Sequence, residues 1–406
     1  MNTQEDFEQL ISPYGQGLIN TYLHVSPVEI ALKHKFNEMA ASLIATQVKY
    51  LQKSKKKLPH FYQHRCIIPP LSFEQSSSET TASLKQYSGT QMLDLTFGLG
   101  VDSYCLSAGF ERIIALEKQI LLAQIGRYNM TKLGKNHIEI LPTSAEEFLS
   151  EYDGSSFDLL YIDPSRRSQK NKKVFLLEDC SPNVLTLMPL MKRVSKLIVI
   201  KLSPLFDLTE VIRKIPNTRK ILVISVRNEC KEVLVEVDPH HTSSTIMLEI
   251  VALIKGQLHR FEDKLERDPL PIKHYEPKVG EYIYDADVGF YKGRMLNPLF
   301  HSYFQEGKGG FISAEEGFWG TKHYVETAFP GRIFQVEAIF PYKPKQIKRY
   351  LKGMKIKHIN IIKRHFPHST QLIHKQLQLS SGGEYFLLCT RTFSKDNKVF
   401  LVKRLI

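Results

Sequence analysis

Cysteine is scarce: five in 406 residues, at 66, 105, 180, 230 and 389, scattered and never in C-x-x-C spacing. That pattern argues against a disulfide framework and against a cysteine-built zinc site, and it fits a reducing compartment. No apolar run approaches the length of a membrane span. The opening decapeptide, MNTQEDFEQL, is acidic and polar, where a signal peptide would be basic and then apolar. Internal repeats and low-complexity tracts are missing too. These absences lead to the expectation of a cytoplasmic protein with no membrane partner and no metal requirement.

What is present is ordinary globular composition, 42% hydrophobic and 24% charged. The length is too great for one ordinary core, so two to four domains are expected. The net charge of +13 and the pI of about 9.3 favour a polyanionic partner, nucleic acid first, although solubility alone accounts for such a surplus equally well.

Residues 1–88 read as mostly helical. In SPVEIALKHKFNEMAASLIATQVKYLQKSKKKLP, Pro27 stands near a helix start, and Ala31, Phe36, Met39, Leu43 and Val48 recur at helical spacing. The basic run Lys53, Lys55, Lys56 and Lys57 is either a solvated helix end, suited to the dipole, or a phosphate contact. From Leu93 the chain alternates. MLDL, RIIALE, IEIL, FDLLYID and KLIVIKL read as strands, and DSYCLSAG and QILLAQIGRYNMTKLG as intervening helices, the second stopping at Gly134. Ser144-Ala145-Glu146-Glu147 opens another helix with a serine cap and early acids. This rhythm predicts an α/β fold, a mostly parallel Rossmann-like sheet covered on both faces. KILVISV and EVLVEV, joined by a polar turn at 227–231, predict an antiparallel hairpin at its end, with IMLEIVALI as a further strand. HRFEDKLERDPLPIKHYEPKVG reads as a linker. Beyond it RIFQVEAIF, HINIIKR, GEYFLLCTR and KVFLVKRL are strands, with KPKQIKRYLKGM and STQLIHKQLQ as helices between them, giving C-terminal α+β modules.

The turn LDLTFGLGVDS (93–103) is the most informative stretch. No G-K-[ST] follows its second glycine, so it is not a P-loop. A nicotinamide loop would need a third small residue for close helix packing, and this pattern runs on from Gly98 and Gly100 to Ser103. An aspartate ending the first strand, followed by glycines that let backbone approach a ligand, suits S-adenosylmethionine. Asp94 is placed to hold the methionine amino group. Glu117, 23 residues on at the second strand's tip, is placed to accept two ribose hydroxyls. Thr143-Ser144-Ala145 follow the third strand, where they reach the adenine edge. Thr96, Asp102 and Lys118 complete the expected cofactor set.

The fourth strand delivers LLYIDPSRRS, with Asp163-Pro164 at the same edge of the sheet. Here the sequence resembles class I S-adenosylmethionine-dependent methyltransferases. In their Asp-Pro-Pro-aromatic version the aspartate and the next carbonyl accept hydrogen bonds from an exocyclic base amine. Asp163 and Pro164 match; Ser165 stands for the second proline and Arg166 for the aromatic. Arg166 and Arg167 could clamp a phosphate or stack on a base as planar cations. With KLP (57–59), EQSSSETTASLK (74–85), LEDCSPNV and IKLSP, the resemblance widens to a group of methyltransferases carrying C-terminal ferredoxin-like and THUMP-like domains. It implies four parts: a helical domain at 1–88, the methyltransferase domain at 89–265, a ferredoxin-like segment at 266–316 and a THUMP-like domain at 317–406. It also implies RNA, tRNA or rRNA, as substrate, with amine N-methylation favoured. Asp163, Pro164 and Ser165 would be catalytic, and Arg166, Arg167 and Lys201 would lie on the substrate side.

Two other readings stand beside this one: a methyltransferase of protein or small molecules, and a non-catalytic RNA-binding protein that kept the fold. Within the family the segment Gln75–Glu79 folds over the cofactor; its residues read as well as a capped helix start at Ser77 or Ser78. Cys180 is expected to be structural rather than a nucleophile. His358, His365, His368 and His374 share no metal spacing. Phe340, Tyr342, Tyr350 and Phe366, interleaved with lysines and arginines, are either RNA-stacking residues or core.

Overall fold

The computed structural model describes residues 3–37, 39–166, 176–266, 270–304, 308–325 and 328–405, with Arg166 described by its backbone alone. The chain divides into two compact units. One is Met1–Leu222 with Lys231–Met247; the other is Val223–Cys230 with Leu248–Ile406.

The first unit begins with seven helices: α1 (Gln4–Ile11), α2 (Pro13–Tyr22), α3 (Pro27–Lys33), α4 (Ala41–Lys57), α5 (Pro59–Gln63), α6 (Pro70–Gln75) and α7 (Glu79–Ala82). Proline stands in the first turn of α2, α3, α5 and α6, where its missing N–H costs nothing. The helical pattern from Pro27 to Lys57 is interrupted at 34–40. There His34 is extended, and the rings of His34 and Phe36 pack edge-on against Tyr22, at 4.7 and 5.5 Å between centroids. Tertiary packing thus overrides local periodicity.

The sheet follows in alternation: β1 (Gly89–Asp94), α8 (Val101–Leu106), β2 (Phe110–Leu116), α9 (Ile120–Lys132), β3 (Ile138–Leu141), α10 (Ala145–Glu151) and β4 (Leu159–Ile162). Two-residue strands β5 (Ser165–Arg166) and β6 (Cys180–Ser181) pair with each other beyond β4. Then come α11 (Val184–Val194), β7 (Ile198–Leu202), α12 (Leu208–Lys214), β8 (Thr218–Val226) and β9 (Glu229–Val237). The spatial order is β3-β2-β1-β4-β7-β9-β8. Strands β3, β2, β1, β4 and β7 run parallel, and β9 is antiparallel to β7. This is the Rossmann-like class I methyltransferase arrangement, with the antiparallel hairpin that the sequence predicts at its end. Helix α11 shows why the faces close. Asn183 caps it, and Val184, Leu187, Met188, Met191 and Val194 form one buried stripe that joins Leu160, Ile162, Ile198 and Ile200 in a continuous core.

The N-terminal helices are bonded into this unit. Asn129 of α9 is fully buried, and its amide both accepts from Ile67 N–H and donates to Ile67 C=O, each at 2.8 Å.

In the second unit, β10 (Met247–Ile254) and β11 (Gln257–Lys264) come first. Strand β11 corrects the sequence reading, which places a linker from His259. It is an outer strand with an alternating exposed pattern, so its many charges do not break it. A seven-stranded sheet follows, built from β12 (Tyr282–Ala286), β13 (Gly310–Phe311), β14 (Trp319–Thr321), β15 (Gly331–Pro341), β16 (Asn360–Arg364), β17 (Tyr385–Arg391) and β18 (Asn397–Arg404), in the order β13-β14-β12-β15-β18-β17-β16. Its helices are α13 (Val288–Lys292), α14 (Leu296–Tyr303), α15 (Pro344–Gly353) and α16 (Thr370–Leu377). The four C-terminal strands and two helices expected from sequence are β15–β18, α15 and α16.

Candidate active site

The carboxyl ends of β1, β2, β4 and β7 open on one cavity of about 1420 Å³, walled in addition by the first turn of α10 and by the segment 69–81. It lies wholly within the first unit. A cavity at the carboxyl edge of an open parallel sheet is where such folds bind ligands.

The glycine loop is held from both sides. Asp94 is buried; its Oδ1 accepts from Thr96 N–H at 2.9 Å and its Oδ2 from the Ser103 hydroxyl at 2.5 Å. Burial pushes its carboxyl up to about 7, against the lowering effect of these two donors. Glu117 closes the other side. Its Oε2 accepts from Gly98 N–H at 3.1 Å and its Oε1 from Gln119 N–H at 2.9 Å, and burial raises its pKa. Both acids expected to touch cofactor therefore also shape the loop that would receive it. Gly100 has φ +80, and a Cβ there would lie 2.2 Å from the Phe97 ring. That ring occupies a slot whose other wall is Gly126, where a Cβ would come within 2.4 Å. Gly98, at φ +58, has nothing within 4 Å of its Cβ position and lines the cavity. The loop thus presents bare backbone to open space, the fit a closely held ligand needs.

Beside the loop, Ser144 caps α10 as expected. Its hydroxyl accepts from Glu147 N–H while the Glu147 carboxylate accepts from Ser144 N–H. Ser144, Ala145 and Lys118 line the cavity. The Ala145 amide, first in the helix, has no intrahelical partner by its position.

Asp163 follows β4, and its backbone N–H donates to Thr96 Oγ1 at 2.7 Å. Register places it beside β7, since Ile162 pairs with Ile200. Lys201 Nζ accordingly lies 2.5 Å from Asp163 Oδ2 and 2.9 Å from Asp102 Oδ2. It also donates to Ser77 Oγ at 2.9 Å. Lys85 pairs with Asp102, and with Glu232 at 2.9 Å. Burial alone would lower the Lys201 ammonium, but Asp102, Asp163 and Glu232 together hold it well above its usual value. Burial would likewise raise Asp102, but Lys201 and Lys85 hold it far below the usual carboxylate range. Lys201 therefore sits beneath Asp163 and fixes it, and Asp102 belongs to this buried ion network.

Lys85 and Glu232 were missed from sequence. Their signal was present: a carboxylate opening the apolar run EVLVEV, and a lysine ending the serine-rich segment before β1. Within that segment Ser78 caps α7, as the capped-helix reading expects, and Ser77 reaches into the network. Ser165 is exposed, its hydroxyl 3.2 Å from Ser181 C=O. The Arg166 backbone pairs with Cys180, and Arg167 lies outside the described residues. Cys180 is buried among core residues. Of the basic run, Lys53 pairs with Glu74 at 2.9 Å, and Lys57 donates to Phe73 C=O at 2.5 Å and lines the cavity.

In the second unit the interleaved aromatics divide. Phe340 and Phe366 are core, with Tyr342 packed against them, so these three are not a stacking platform; Tyr350 is exposed. The four histidines make local bonds: His358 to Ser380, His365 to Glu315, His374 to Leu379 C=O, and His368 against the Tyr342 ring. Among the described residues no group of three or more His, Cys, Asp or Glu could hold a metal ion, and no helix is long and apolar enough to cross a membrane.

Residues 331–404, from β15 to β18, match the family described as THUMP domain-like. No curated protein matches the chain. Among solved structures, a protein from Porphyromonas gingivalis W83 named a "putative methyltransferase" superposes with a TM-score of 0.83 at 24% identity, over 96% of both chains. At that identity the likeness establishes the fold. An O-methyltransferase from Bacillus cereus, in complex with SAH, gives a TM-score of 0.30 at 14% identity, over 54% of this chain and 99% of that one. An rRNA methylase from Streptococcus thermophilus gives 0.28 at 12%, over 42% and 97%.

Proposed function

We propose that the protein is a cytoplasmic S-adenosylmethionine-dependent methyltransferase acting on RNA, tRNA or rRNA, at a base amine. The observation that carries this reading is the meeting, in one cavity, of a glycine loop with an open face at Gly98, an acid at the tip of β2, and an Asp-Pro carboxylate fixed by Lys201. When bound, the cofactor supplies an electrophilic methyl group. The protein's part is positioning. Gly98 and Gly100 let backbone lie against the ligand, Glu117 accepts the ribose hydroxyls, and Asp94 with Thr96 fixes the loop. Ser144 and Ala145 border the adenine end. Asp163 accepts a hydrogen bond from the attacking amine, and Pro164 and Ser165 shape the path by which it enters. In this reading Arg166 and Arg167 contribute to binding the substrate.

RNA as partner is supported by charge. From Ala338 to Gly383 there is no acidic residue, against ten lysines and arginines. On α15, Lys345, Arg349 and Lys352 are exposed with Tyr350 between them. In this reading residues 1–88 are a helical cover, 89–265 the catalytic domain, 266–316 a ferredoxin-like connector and 317–406 a THUMP-like tail that presents RNA.

The test is transfer of labelled methyl from S-adenosylmethionine to total cellular RNA, with Asp163→Ala and Gly98→Ala as controls. Label in RNA that both substitutions abolish supports the reading. Label found in protein instead, or wild-type transfer by Asp163→Ala, refutes it. Independently, replacing Lys345, Arg349 and Lys352 by Gln should weaken RNA binding and flatten its dependence on salt.

A further inference from the structure

We infer that Lys57, in the last turn of α4, holds the carboxylate at the amino-acid end of the methyl donor, so that the N-terminal helices supply part of the donor site. The inference rests on the methyl-donor reading above and deepens it.

That reading leaves one charged group of the donor without a counterpart. Glu117 meets the ribose, Ser144 and Ala145 border the adenine, and Asp94 is placed for the amino group. The carboxylate enters the same cavity, and a carboxylate withdrawn from water is costly unless a cation or N–H donors meet it. Among the described residues four lysines line the cavity, Lys57, Lys118, Lys201 and Lys231. Lys201 is committed to Asp163, Asp102 and Ser77. Lys118 and Lys231 are exposed, and Lys118 directly follows Glu117, at the ribose end. Lys57 is partly buried, and no described carboxylate is ion-paired with it. Glu74, which acts on it electrostatically, pairs instead with Lys53 at 2.9 Å.

The partners of Lys57 are uncharged. Its Nζ donates to Phe73 C=O at 2.5 Å and stands 4.6 Å from the centroid of the Phe73 ring. An ammonium carries three donors, so this leaves hydrogens for a ligand. The same carbonyl accepts from the Ser76 hydroxyl at 3.0 Å, which brings a cation and a hydroxyl to one point of the cavity wall. Burial lowers the Lys57 ammonium, and Lys201 and Lys53 act in the same direction against Glu74. A ligand carboxylate offsets these effects.

That point lies toward the amino-acid end. Ser77, next in the chain, accepts from Lys201 Nζ at 2.9 Å and donates to Asp102 Oδ2 at 3.4 Å. Asp102 is in the first turn of α8, just past Gly100, and its neighbour Ser103 is bonded to Asp94. Ser144 follows β3, with β2, β1 and β4 between it and Lys201 on β7. A substrate phosphate is the other anion that such a cation would hold. The carboxylate fits better, because it is one carbon away from the amino group placed at Asp94.

The experiment is calorimetric titration of the full chain with S-adenosylhomocysteine, with its decarboxylated analogue, and with methylthioadenosine, which lacks the whole amino-acid end. Wild-type protein should bind S-adenosylhomocysteine about tenfold tighter than the decarboxylated analogue, a difference of roughly 1.4 kcal/mol. Lys57→Gln should cut that ratio to about twofold or less, and Lys57→Arg should restore most of it. Lys55→Gln, which removes an exposed cation of the same helix turn, should leave the ratio as it is. A merely structural lysine would weaken all three ligands alike, and that outcome overturns the inference, as does an unchanged ratio in a folded Lys57→Gln protein. Wild-type protein that binds the first two ligands equally overturns it without any variant, and leaves the methyl-donor reading standing if methylthioadenosine binds. Binding of mixed-sequence single-stranded RNA, followed by anisotropy with S-adenosylhomocysteine present, should be the same in Lys57→Gln. Loss of RNA binding with the ligand ratio intact gives Lys57 to a substrate phosphate and overturns the inference. If none of the three nucleosides binds at millimolar concentration, the methyl-donor reading falls and takes this inference with it.

Discussion

The backbone N–H of Asp163 donates to the hydroxyl of Thr96 at 2.7 Å. One threonine thus joins the two sequence stretches that matter most, since its own N–H is bonded to Asp94. The chain from β1 and the chain from β4 meet through a side chain rather than through the sheet ladder alone, and the distance between glycine loop and Asp163 is fixed by it.

Thr96→Val tests that joint. The shape is kept and the acceptor is lost, so Asp163 N–H is left without its partner at a cost of about 1–2 kcal/mol. Cofactor affinity should change less than the rate of methyl transfer, because Glu117 and the glycines still hold the loop. Titration of the cofactor beside single-turnover kinetics would separate the two; an equal loss in both would refute the joint's role in placing Asp163.

The two glycines of the loop should behave differently. Gly100→Ala drives a methyl into the Phe97 ring at a left-handed φ, and roughly 2–3 kcal/mol of stability should go with it. Gly98→Ala meets no atom within 4 Å, so only the left-handed strain of about 1–2 kcal/mol remains. It should stay folded and lose ligand affinity. Thermal melts and titrations on both variants would show whether stability and binding divide in this way.

Asp94 makes the stability of the first unit depend on pH. Its carboxyl titrates at about 7 when folded, against 3.8 for the unperturbed group, so folding takes up a proton between those values. Its contribution to stability is therefore greatest below about pH 4 and falls as pH rises toward 7. Asp94→Asn keeps an acceptor for Thr96 and cannot ionise. Measured by thermal melts at about pH 5 and about pH 8, the variant should gain on wild type at the higher pH; a difference independent of pH would contradict the buried, protonatable carboxyl.

Lys201→Met should be among the most damaging single changes in the first unit. It strands Asp163 and removes half of the compensation at Asp102, and breaking a buried ion pair on one side costs roughly 3–5 kcal/mol. Adding Asp102→Asn should restore part of that loss, whereas two independent sites would give additive losses. Denaturant melts of the single and double variants check this.

Much of this architecture was legible in sequence, and the reasons are local. The strands of the parallel sheet are short apolar runs, and four of the five deliver a charged residue to the cavity at or next to their ends: Asp94, Glu117, Asp163 and Lys201. The cap at Ser144 was legible because a capping box needs only four consecutive residues. What sequence hid is long-range. Lys85 meets Glu232 across 147 positions, and nothing near either residue reveals the other. Phe97 passes for a loop residue until Gly126, from α9, is seen to make its slot. Strand β11 was hidden because its charges face outward on an outer strand, where the alternation of a half-buried strand weakens. The aromatics from β15 to just past β16 suggested a stacking surface, yet Phe340 and Phe366 turn inward, into a core shared with Ile347 and Leu351 of α15 and Ile373 and Leu377 of α16.

The placement of Lys85 bears on how such a protein can be inherited and cut. A chain opened after residue 88 would keep every strand of the parallel sheet and every glycine of its loop. It would lose Ser77, and with Lys85 one of the two cations that hold Asp102 and Glu232. The helices before β1 are therefore no detachable appendage. Recombination that exchanged them for another leader would have to supply a buried ammonium at the same spot, or alter two carboxylates at the same time.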